Sequence, residues 1–222
     1  HLRTEVAFDF LEKRDKRKPF FLFMSYRAPH SFEGPIRDTL LYAEKGWPEI
    51  ERVHAAKITL LDKQVGRLLD KLKEIGELEN TLILFTSDNG PHFAADGHDL
   101  EFFDSNGALR GGKRDLYEGG IRVPAAIWWP SKLESDQPLS EVVHIADVLP
   151  TLLDFIELKI PSVDGRSLKG VLLEGSPLEP RPFVVANFGS EAMIDWPWKI
   201  VREGSLPITP DFLKSDTWHL YN

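Results

Sequence analysis

The chain has 222 residues, which is enough for one large domain or for one domain with a small appendage. Its net charge of −8 argues against a general binder of nucleic acid or of anionic membranes, because both need a basic surface. The sequence contains no Cys, which excludes disulfide bonds and thiolate metal sites. No apolar run is long enough for a transmembrane helix, and no segment has the pattern of a signal peptide.

Both ends of the chain look like interior positions of a longer protein. His1 stands without Met at the start of a helical pattern, and residues 218–222 look like an unfinished strand. We therefore expect a fragment, with a mature processed protein as the alternative.

The first half of the chain predicts two strands with a helix between them. An amphipathic helix is predicted over residues 4–13, with Thr4 as its candidate cap. Apolar runs at residues 20–26 and 81–87 lack polar alternation, which predicts strands buried on both faces. Apolar residues at helical spacing predict a long helix over residues 51–75, ending at Gly76. This order predicts a βαβ unit with parallel strands.

The second half predicts a third strand at residues 125–129, a helix over 142–155 and a short helix over 167–173. Pro150 should lie in the first turn of its helix, because an interior Pro disrupts helical hydrogen bonding. A stretch rich in Pro and Gly then precedes four short candidate strands, at residues 183–186, 192–195, 199–202 and 218–221.

These elements predict an α/β fold with a mixed, largely parallel sheet flanked by helices. We expect residues 1–175 to form part of this domain and residues 176–222 to form a small, incomplete antiparallel subdomain.

Polar residues follow the two predicted buried strands. Asp88 and Asn89 come after the strand at residues 81–87, and His30 follows the strand at 20–26. Ligands of open α/β sheets bind at the carboxyl ends of strands, so all three are candidate site residues. The oxygens of Asp88 and Asn89 suit Ca²⁺ or Mg²⁺, with an ordinary turn as the alternative. His30 is equally compatible with an ordinary loop position.

Lys113 lies in a cationic, glycine-rich segment at residues 107–114. The segment nearly matches a P-loop, but Arg114 replaces the Ser or Thr that binds Mg²⁺, and no buried strand precedes it. Nucleotide binding is therefore disfavoured. A lysine that binds an anionic oxygen as a point charge remains, with a solvated loop lysine as the alternative.

Two further residue groups have structural interpretations. His92 and His98 are read as ordinary loop histidines, with substrate contact as the alternative. Glu118 and Arg122 flank two glycines, and we expect them to form a structural ion pair.

Taken together, these pieces resemble the sulfatase family of the alkaline-phosphatase superfamily. The resemblance spans nearly the whole chain in the order of the family, and it is most specific at SDNG and at GGKRDLYEGGIRVP. The matching segments are FLFMSYRAPH at residues 21–30, DKQVG at 62–66, NTLILFTSDNGPH at 80–92, LRGGKRDLYEGGIRVP at 109–124, DVLPTL at 147–152 and DGRSL at 164–168, together with the ending at 218–222.

The resemblance implies an alkaline-phosphatase-like fold and a role for each candidate site residue. Asp88 and Asn89 match two ligands of the single family metal, usually Ca²⁺, with Mg²⁺ as the alternative. Lys113 matches the lysine that contacts the sulfate and the bridging oxygen, and His30 matches the histidine near the leaving group. Two-metal phosphatases and phosphonate hydrolases of the superfamily tend to carry Asp-His where this chain has Asp88-Asn89, so the resemblance favours a sulfatase.

One part of the family pattern is missing. The family nucleophile is a formylglycine made from a Cys/Ser-x-Pro-x-Arg motif, but this chain has no Cys, and its serine segment at 205–209 lacks the Arg. Paired aspartates, a further lysine and a further histidine of the family site are also absent. We expect the C-terminal part of a sulfatase that is inactive by itself, with the formylglycine in a preceding segment.

The expected function of the full-length protein is the hydrolysis of sulfate esters, most plausibly on a sulfated carbohydrate. The alternatives are a phosphodiesterase or phosphonate hydrolase on the same scaffold, and a binding module without catalysis that retains the anion pocket. The expected partner is a sulfated small molecule or glycan, with neither nucleic acid nor a membrane. By resemblance alone, the protein is expected to be periplasmic or secreted. The sulfated position and the oligomeric state are left open.

Overall fold

A computed structural model describes residues 2–30, 39–92, 98–133, 138–187, 189–204 and 218–221. The chain forms two compact units. The N-terminal unit comprises His1–Thr81 and His92–Gly107, and the C-terminal unit comprises Leu82–Pro91 and Ala108–Asn222. The segment at 205–209 and residues 31–38, the first part of a loop predicted over residues 31–50, lie outside the described residues. The predicted boundary between residues 175 and 176 stays a prediction.

Two helices form the N-terminal unit, α1 (Leu2–Lys13) and α2 (Glu49–Glu74), together with short 3₁₀ segments at Thr39–Lys45 and Leu78–Asn80. The predicted end of α2 is confirmed, because Gly76 follows its cap with a positive φ of 74°. Ion pairs join α1 to α2, with Lys71 Nζ 2.7 Å from Glu12 Oε1. Within the described ranges, no helix has the length and apolar character needed to cross a membrane.

Thr4 is not the cap of α1, so that prediction is wrong. It lies inside the helix and is fully buried, and its hydroxyl is 3.0 Å from the Tyr26 hydroxyl. This contact explains its polar side chain at a position that faces the core of the unit.

Residues 20–26 form no strand, so the prediction of a βαβ unit is wrong for the described chain. Phe21 and Phe23 are 73% and 80% exposed. A strand exists only where a neighbour accepts and donates its backbone hydrogen bonds, and the described residues provide no such neighbour for this run.

In the C-terminal unit, strand β1 (Ile83–Thr86) pairs with β2 (Ala125–Trp128). Both strands were predicted, but their pairing is antiparallel, with Ile83 opposite Trp128. The expectation that both faces of the strand at 81–87 are buried is also wrong, because Phe85 is 44% exposed. A short helix, α3 (Glu118–Ile121), precedes β2.

Two further helices are α4 (Val148–Phe155) and α5 (Lys169–Glu174). The predicted position of Pro150 in the first turn of α4 is confirmed. The helix begins later than predicted, because a 3₁₀ turn at Ile145–Asp147 precedes it.

The predicted C-terminal antiparallel sheet is confirmed. Its strands are β3 (Phe183–Asn187), β4 (Ser190–Asp195), β5 (Trp198–Arg202) and β6 (Trp218–Tyr221), and they pair in sequence order. Along each strand, alternate side chains point to the same face. One face contributes Ala192 and Val201 to a hydrophobic cluster with Leu116 and Tyr117. The sheet therefore packs on the segment that immediately follows Lys113.

Asp147 joins three segments of the C-terminal unit. Its carboxylate is fully buried and accepts hydrogen bonds from the backbone N–H groups of His144, at 2.8 Å, and Arg166, at 2.9 Å. It also forms an ion pair with Arg181. A buried charge with this many partners stabilises the fold only while all of its partners are present.

We predict that Asp147→Ala lowers the free energy of unfolding by about 3–5 kcal/mol, because it leaves buried donors and a cation without their acceptor. Asp154→Ala is the matched control, since the Asp154 carboxylate pairs with Lys169 at 3.3 Å in a half-exposed position. Its loss of stability is expected to be much smaller, because solvent screens this ion pair. Urea unfolding measures both values, and equal losses would contradict the role given to Asp147.

Candidate functional site

The turn that follows β1 presents two hard oxygen ligands. The Ser87 hydroxyl donates to the Asn89 carbonyl at 3.0 Å, and the Asn89 side-chain nitrogen donates to the Gly90 carbonyl at 2.8 Å. The amide oxygen of Asn89 thus remains available as an acceptor. Asp88 is exposed, and in the described part of the chain no hydrogen bond or ion pair engages its carboxylate.

Lys113 lies on a tightly turned segment, residues 110–118, which we call the lysine loop. The Asp115 carboxylate accepts from the Gly112 N–H at 3.0 Å, and the Asp115 N–H donates to the Gly112 carbonyl at 2.9 Å. The Gly119 N–H closes the loop by donating to the Arg110 carbonyl at 2.7 Å. Lys113 itself is half-buried, and within the described ranges its ammonium forms no ion pair.

Two backbone hydrogen bonds join the Asp88 turn to the lysine loop and α3. The Lys113 N–H donates to the Pro91 carbonyl at 2.6 Å, and the Gly90 N–H donates to the Gly120 carbonyl at 2.9 Å. The structure therefore brings together three of the four predicted site residues, at the level of their backbone segments.

Glycines make this contact between the segments possible. A Cβ atom on Gly90 would lie 1.8 Å from the carbonyl oxygen of Gly119, and one on Gly119 would lie 2.1 Å from that of Gly111. A Cβ atom on Gly120 would lie 2.2 Å from the carbonyl oxygen of Asp115. Atoms cannot approach so closely, so the backbones meet only because these positions have no side chain. The sequence analysis missed this role, although the repeated Gly-Gly pairs were its signal.

The expected pair between Glu118 and Arg122 is wrong. Glu118 Oε1 lies 2.8 Å from Lys199 Nζ on β5, and the Lys199 side chain is 8% exposed. The Arg122 N–H instead donates to the Glu118 carbonyl, as the helical turn of α3 requires. The carboxylate therefore fastens α3 to the C-terminal sheet.

His30 belongs to the N-terminal unit, whereas Asp88, Asn89 and Lys113 belong to the C-terminal unit. The His30 N–H donates to the Arg27 carbonyl at 2.8 Å, and the His30 carbonyl accepts from Lys57 Nζ at 3.1 Å. These bonds hold its backbone in a defined turn. Its role near a leaving group stays a prediction.

His98 is not an ordinary loop histidine. It is buried, with Nδ1 2.6 Å from Oε2 of the buried Glu51, and the His54 ring stacks on it at 3.9 Å. The other Glu51 oxygen accepts from the Asp99 N–H at 2.8 Å. This pairing anchors the segment after residue 97 to α2. No sequence pattern had indicated it.

The chemistry of Asp88 and Asn89 fits a hard cation such as Ca²⁺, which takes six to eight oxygen ligands. Two residues cannot complete that number. Among the residues that the structure describes, no group of three or more His, Asp or Glu is arranged to hold a metal ion. A metal site formed by Asp88 and Asn89 therefore stays a prediction.

Comparison with known proteins finds similarity to sulfatases. The family model described as Sulfatase matches residues 2–158. The arylsulfatase of Clostridium perfringens is 34% identical over 206 residues, which cover 76% of this chain and 40% of that protein. The human N-acetylgalactosamine-6-sulfatase is 30% identical over 205 residues, which cover 87% of this chain and 37% of that protein.

A solved structure also matches nearly the whole chain. The crystal structure of Ps i-CgsB in complex with k-i-k-neocarrahexaose superposes with a TM-score of 0.80 and 25% identity. The match covers 99% of this chain and 47% of that one. The chain thus spans about half of this structure and two fifths or less of the two curated relatives.

We predict that Gly120→Ala lowers the free energy of unfolding by about 3 kcal/mol or more, because its Cβ would overlap two backbone carbonyl oxygens. Gly66→Ala is the matched control, since that position on α2 has no neighbour within 4 Å. There the substitution should raise the stability by about 0.5–1 kcal/mol. Denaturant unfolding of both variants measures the difference, and a neutral Gly120→Ala would contradict the close packing of α3 against the lysine loop.

Proposed function

Because this chain belongs to the sulfatase family, we propose that the whole protein of which it is a part hydrolyses sulfate esters. The observation that supports this most directly is the backbone pairing of the Asp88 turn with the lysine loop. That pairing puts two hard-oxygen ligands and one lysine on adjoining segments, as binding of an anionic sulfate ester group and a cation requires.

Each site residue has a physical task in this proposal. Cleavage of a sulfate ester develops negative charge on the leaving oxygen and on the sulfate oxygens. The Lys113 ammonium stabilises that charge as a point cation, and the His30 side chain donates a proton to the leaving oxygen. Asp88 and Asn89 would hold Ca²⁺, with Mg²⁺ as the alternative, and the cation would neutralise sulfate charge as a Lewis acid.

The remaining parts of the site lie, in this proposal, in a segment that precedes the chain. That segment would supply the formylglycine nucleophile and the further metal ligands, so the 222-residue chain is expected to be inactive by itself. It would also supply neighbours for residues 20–26 in a largely parallel sheet of the catalytic domain. Residues 1–175 would then belong to that domain and residues 176–222 to its C-terminal subdomain.

The proposed substrate is a sulfated carbohydrate. Support comes from a relative named N-acetylgalactosamine-6-sulfatase and from a similar structure with a bound neocarrahexaose. A periplasmic or secreted location is proposed with it, since sulfated glycans are largely extracellular.

We predict that Lys113→Ala in the full-length protein lowers kcat for 4-nitrophenyl sulfate by on the order of a hundredfold, as removal of a donor to a developing oxyanion does. Lys159→Ala, at an exposed position of the same unit, is the matched control and should retain full turnover.

Near-normal turnover of Lys113→Ala would remove the assignment of this lysine.

The same assay with 4-nitrophenyl phosphate tests the alternative function. A higher kcat/KM for the phosphate ester than for the sulfate ester would favour a phosphodiesterase or phosphonate hydrolase. Binding of sulfated glycan without turnover would favour a binding module.

We predict that Asp88→Ala weakens Ca²⁺ binding to the full-length protein by at least about tenfold, because the affinity of oxygen sites depends on the charge of their ligands. Asp195→Ala, which removes an exposed carboxylate on β4, is the control with unchanged affinity. Calorimetric titration after chelator treatment measures both constants without reference to turnover. Equal affinities would exclude Asp88 as a ligand.

A further inference from the structure

We propose that the C-terminal sheet positions Lys113 for catalysis through Arg110, Tyr117 and Tyr221, three residues that we call the aromatic clamp. The inference depends on the proposed function, because it assigns the clamp a role only through Lys113. Arg110 and Tyr117 are on the lysine loop on either side of Lys113, and Tyr221 is on β6.

The clamp begins with the Arg110 guanidinium, which lies over the Tyr117 ring at 3.9 Å. One of its nitrogens donates to the Tyr221 hydroxyl at 2.9 Å. The two tyrosine rings meet edge to face, with their centroids 5.3 Å apart. A planar cation that stacks on one aromatic ring and donates to the hydroxyl of the other tyrosine holds a defined orientation, unlike a freely rotating lysine.

A chain of hydrogen bonds continues from the clamp to the end of β5. The Tyr221 hydroxyl donates to the Tyr117 hydroxyl at 3.0 Å, and the Tyr117 hydroxyl donates to Glu203. Burial and the bond to Glu203 raise the pKa of Tyr117 above its ordinary value, so this side chain stays a neutral donor. The hydrogen bonds therefore run in one direction, from Arg110 through Tyr221 and Tyr117 to Glu203.

A second contact holds the loop immediately after Lys113. Arg114 has a positive φ of 85°, a conformation that is strained for any residue with a side chain. The Asn187 side-chain nitrogen on β3 donates to the Arg114 carbonyl at 3.0 Å. Strain of this kind persists only where surrounding contacts determine the backbone, and here the C-terminal sheet supplies the contact.

The clamp and Asn187 thus fix the lysine loop before and after Lys113. The ammonium of a lysine is carried on a flexible four-carbon stem, so its position depends on where the backbone places its Cα atom. A displacement of about 1 Å at a catalytic group can lower a rate by as much as a hundredfold. Loss of the clamp should therefore lower kcat more than it raises KM.

The test uses Tyr221→Phe in the full-length protein, which removes one oxygen and retains the ring. We expect kcat for 4-nitrophenyl sulfate to fall about tenfold, with KM changed by less than about twofold. Asn187→Ala should give a similar split. Tyr42→Phe is the matched control, because it removes a hydroxyl that contacts Thr59 Oγ1 at 2.6 Å in the N-terminal unit. It should leave kcat unchanged.

A double-mutant cycle with Lys113→Ala separates a loss of Lys113 positioning from a general disturbance of the folded protein. If the clamp acts through Lys113, Tyr221→Phe should change the residual rate of Lys113→Ala by less than about twofold. An equal loss in both backgrounds would overturn the proposal, as would a normal kcat for Tyr221→Phe. Near-normal turnover of Lys113→Ala by itself would instead remove the assignment of Lys113, and absence of sulfate-ester turnover in the unsubstituted full-length protein would remove the proposed function, so these failures are distinguishable.

Amide hydrogen exchange gives a readout that does not require turnover. The Lys113 N–H, bonded to the Pro91 carbonyl, should exchange about tenfold faster in Tyr221→Phe, while strand amides of β4 keep their protection. Equal exchange of the Lys113 amide in the two proteins would overturn the proposal.

Discussion

Contact between two backbones, without side chains between them, is the constraint on which the candidate site depends. Gly90 meets Gly119 and Gly120 so closely that no Cβ atom fits, and hydrogen bonds between backbone groups then replace side-chain contacts. A contact between backbone groups contains no side-chain rotamers that could adjust it, so it defines the spacing of its segments narrowly. The candidate site residues Asp88, Asn89 and Lys113 share that spacing, because each is attached directly to a segment of the glycine contact.

Elements determined by nearby residues could be predicted from the sequence. The periodicity of α2 and the alternation of β3 to β6 specify which face is apolar, and Gly76 supplies the conformation that ends α2. Residues 20–26 show the limit of this information. An apolar run specifies burial, whereas strand formation depends on neighbours that local sequence does not name. The antiparallel pairing of β1 with β2 was missed for the same reason.

The residues of the candidate site also differ in whether the sequence alone could identify them. Asp88, Asn89 and Lys113 could be selected by residue type and position, because hard oxygens and a lysine in a glycine-rich segment have recognisable chemistry. Residues whose partners are distant in the chain could not be identified in this way. Tyr117 and Tyr221 are 104 residues apart, and no local pattern links them. The buried pair of Glu51 and His98 is likewise 47 residues apart, so His98 was read as an ordinary loop residue.

The C-terminal sheet supports the candidate site through its contacts with the lysine loop. The lysine loop contains a strained residue, Arg114, and such a conformation persists only where surrounding contacts determine the backbone. Arg110, Tyr117 and Glu118 each contact β5, β6 or the residue that follows β5. These contacts cross the change in sequence pattern near residue 175. A change in sequence pattern can therefore divide the chain into two regions that stabilise each other. Substitutions in the C-terminal sheet would then affect the position of Lys113 without contacting it.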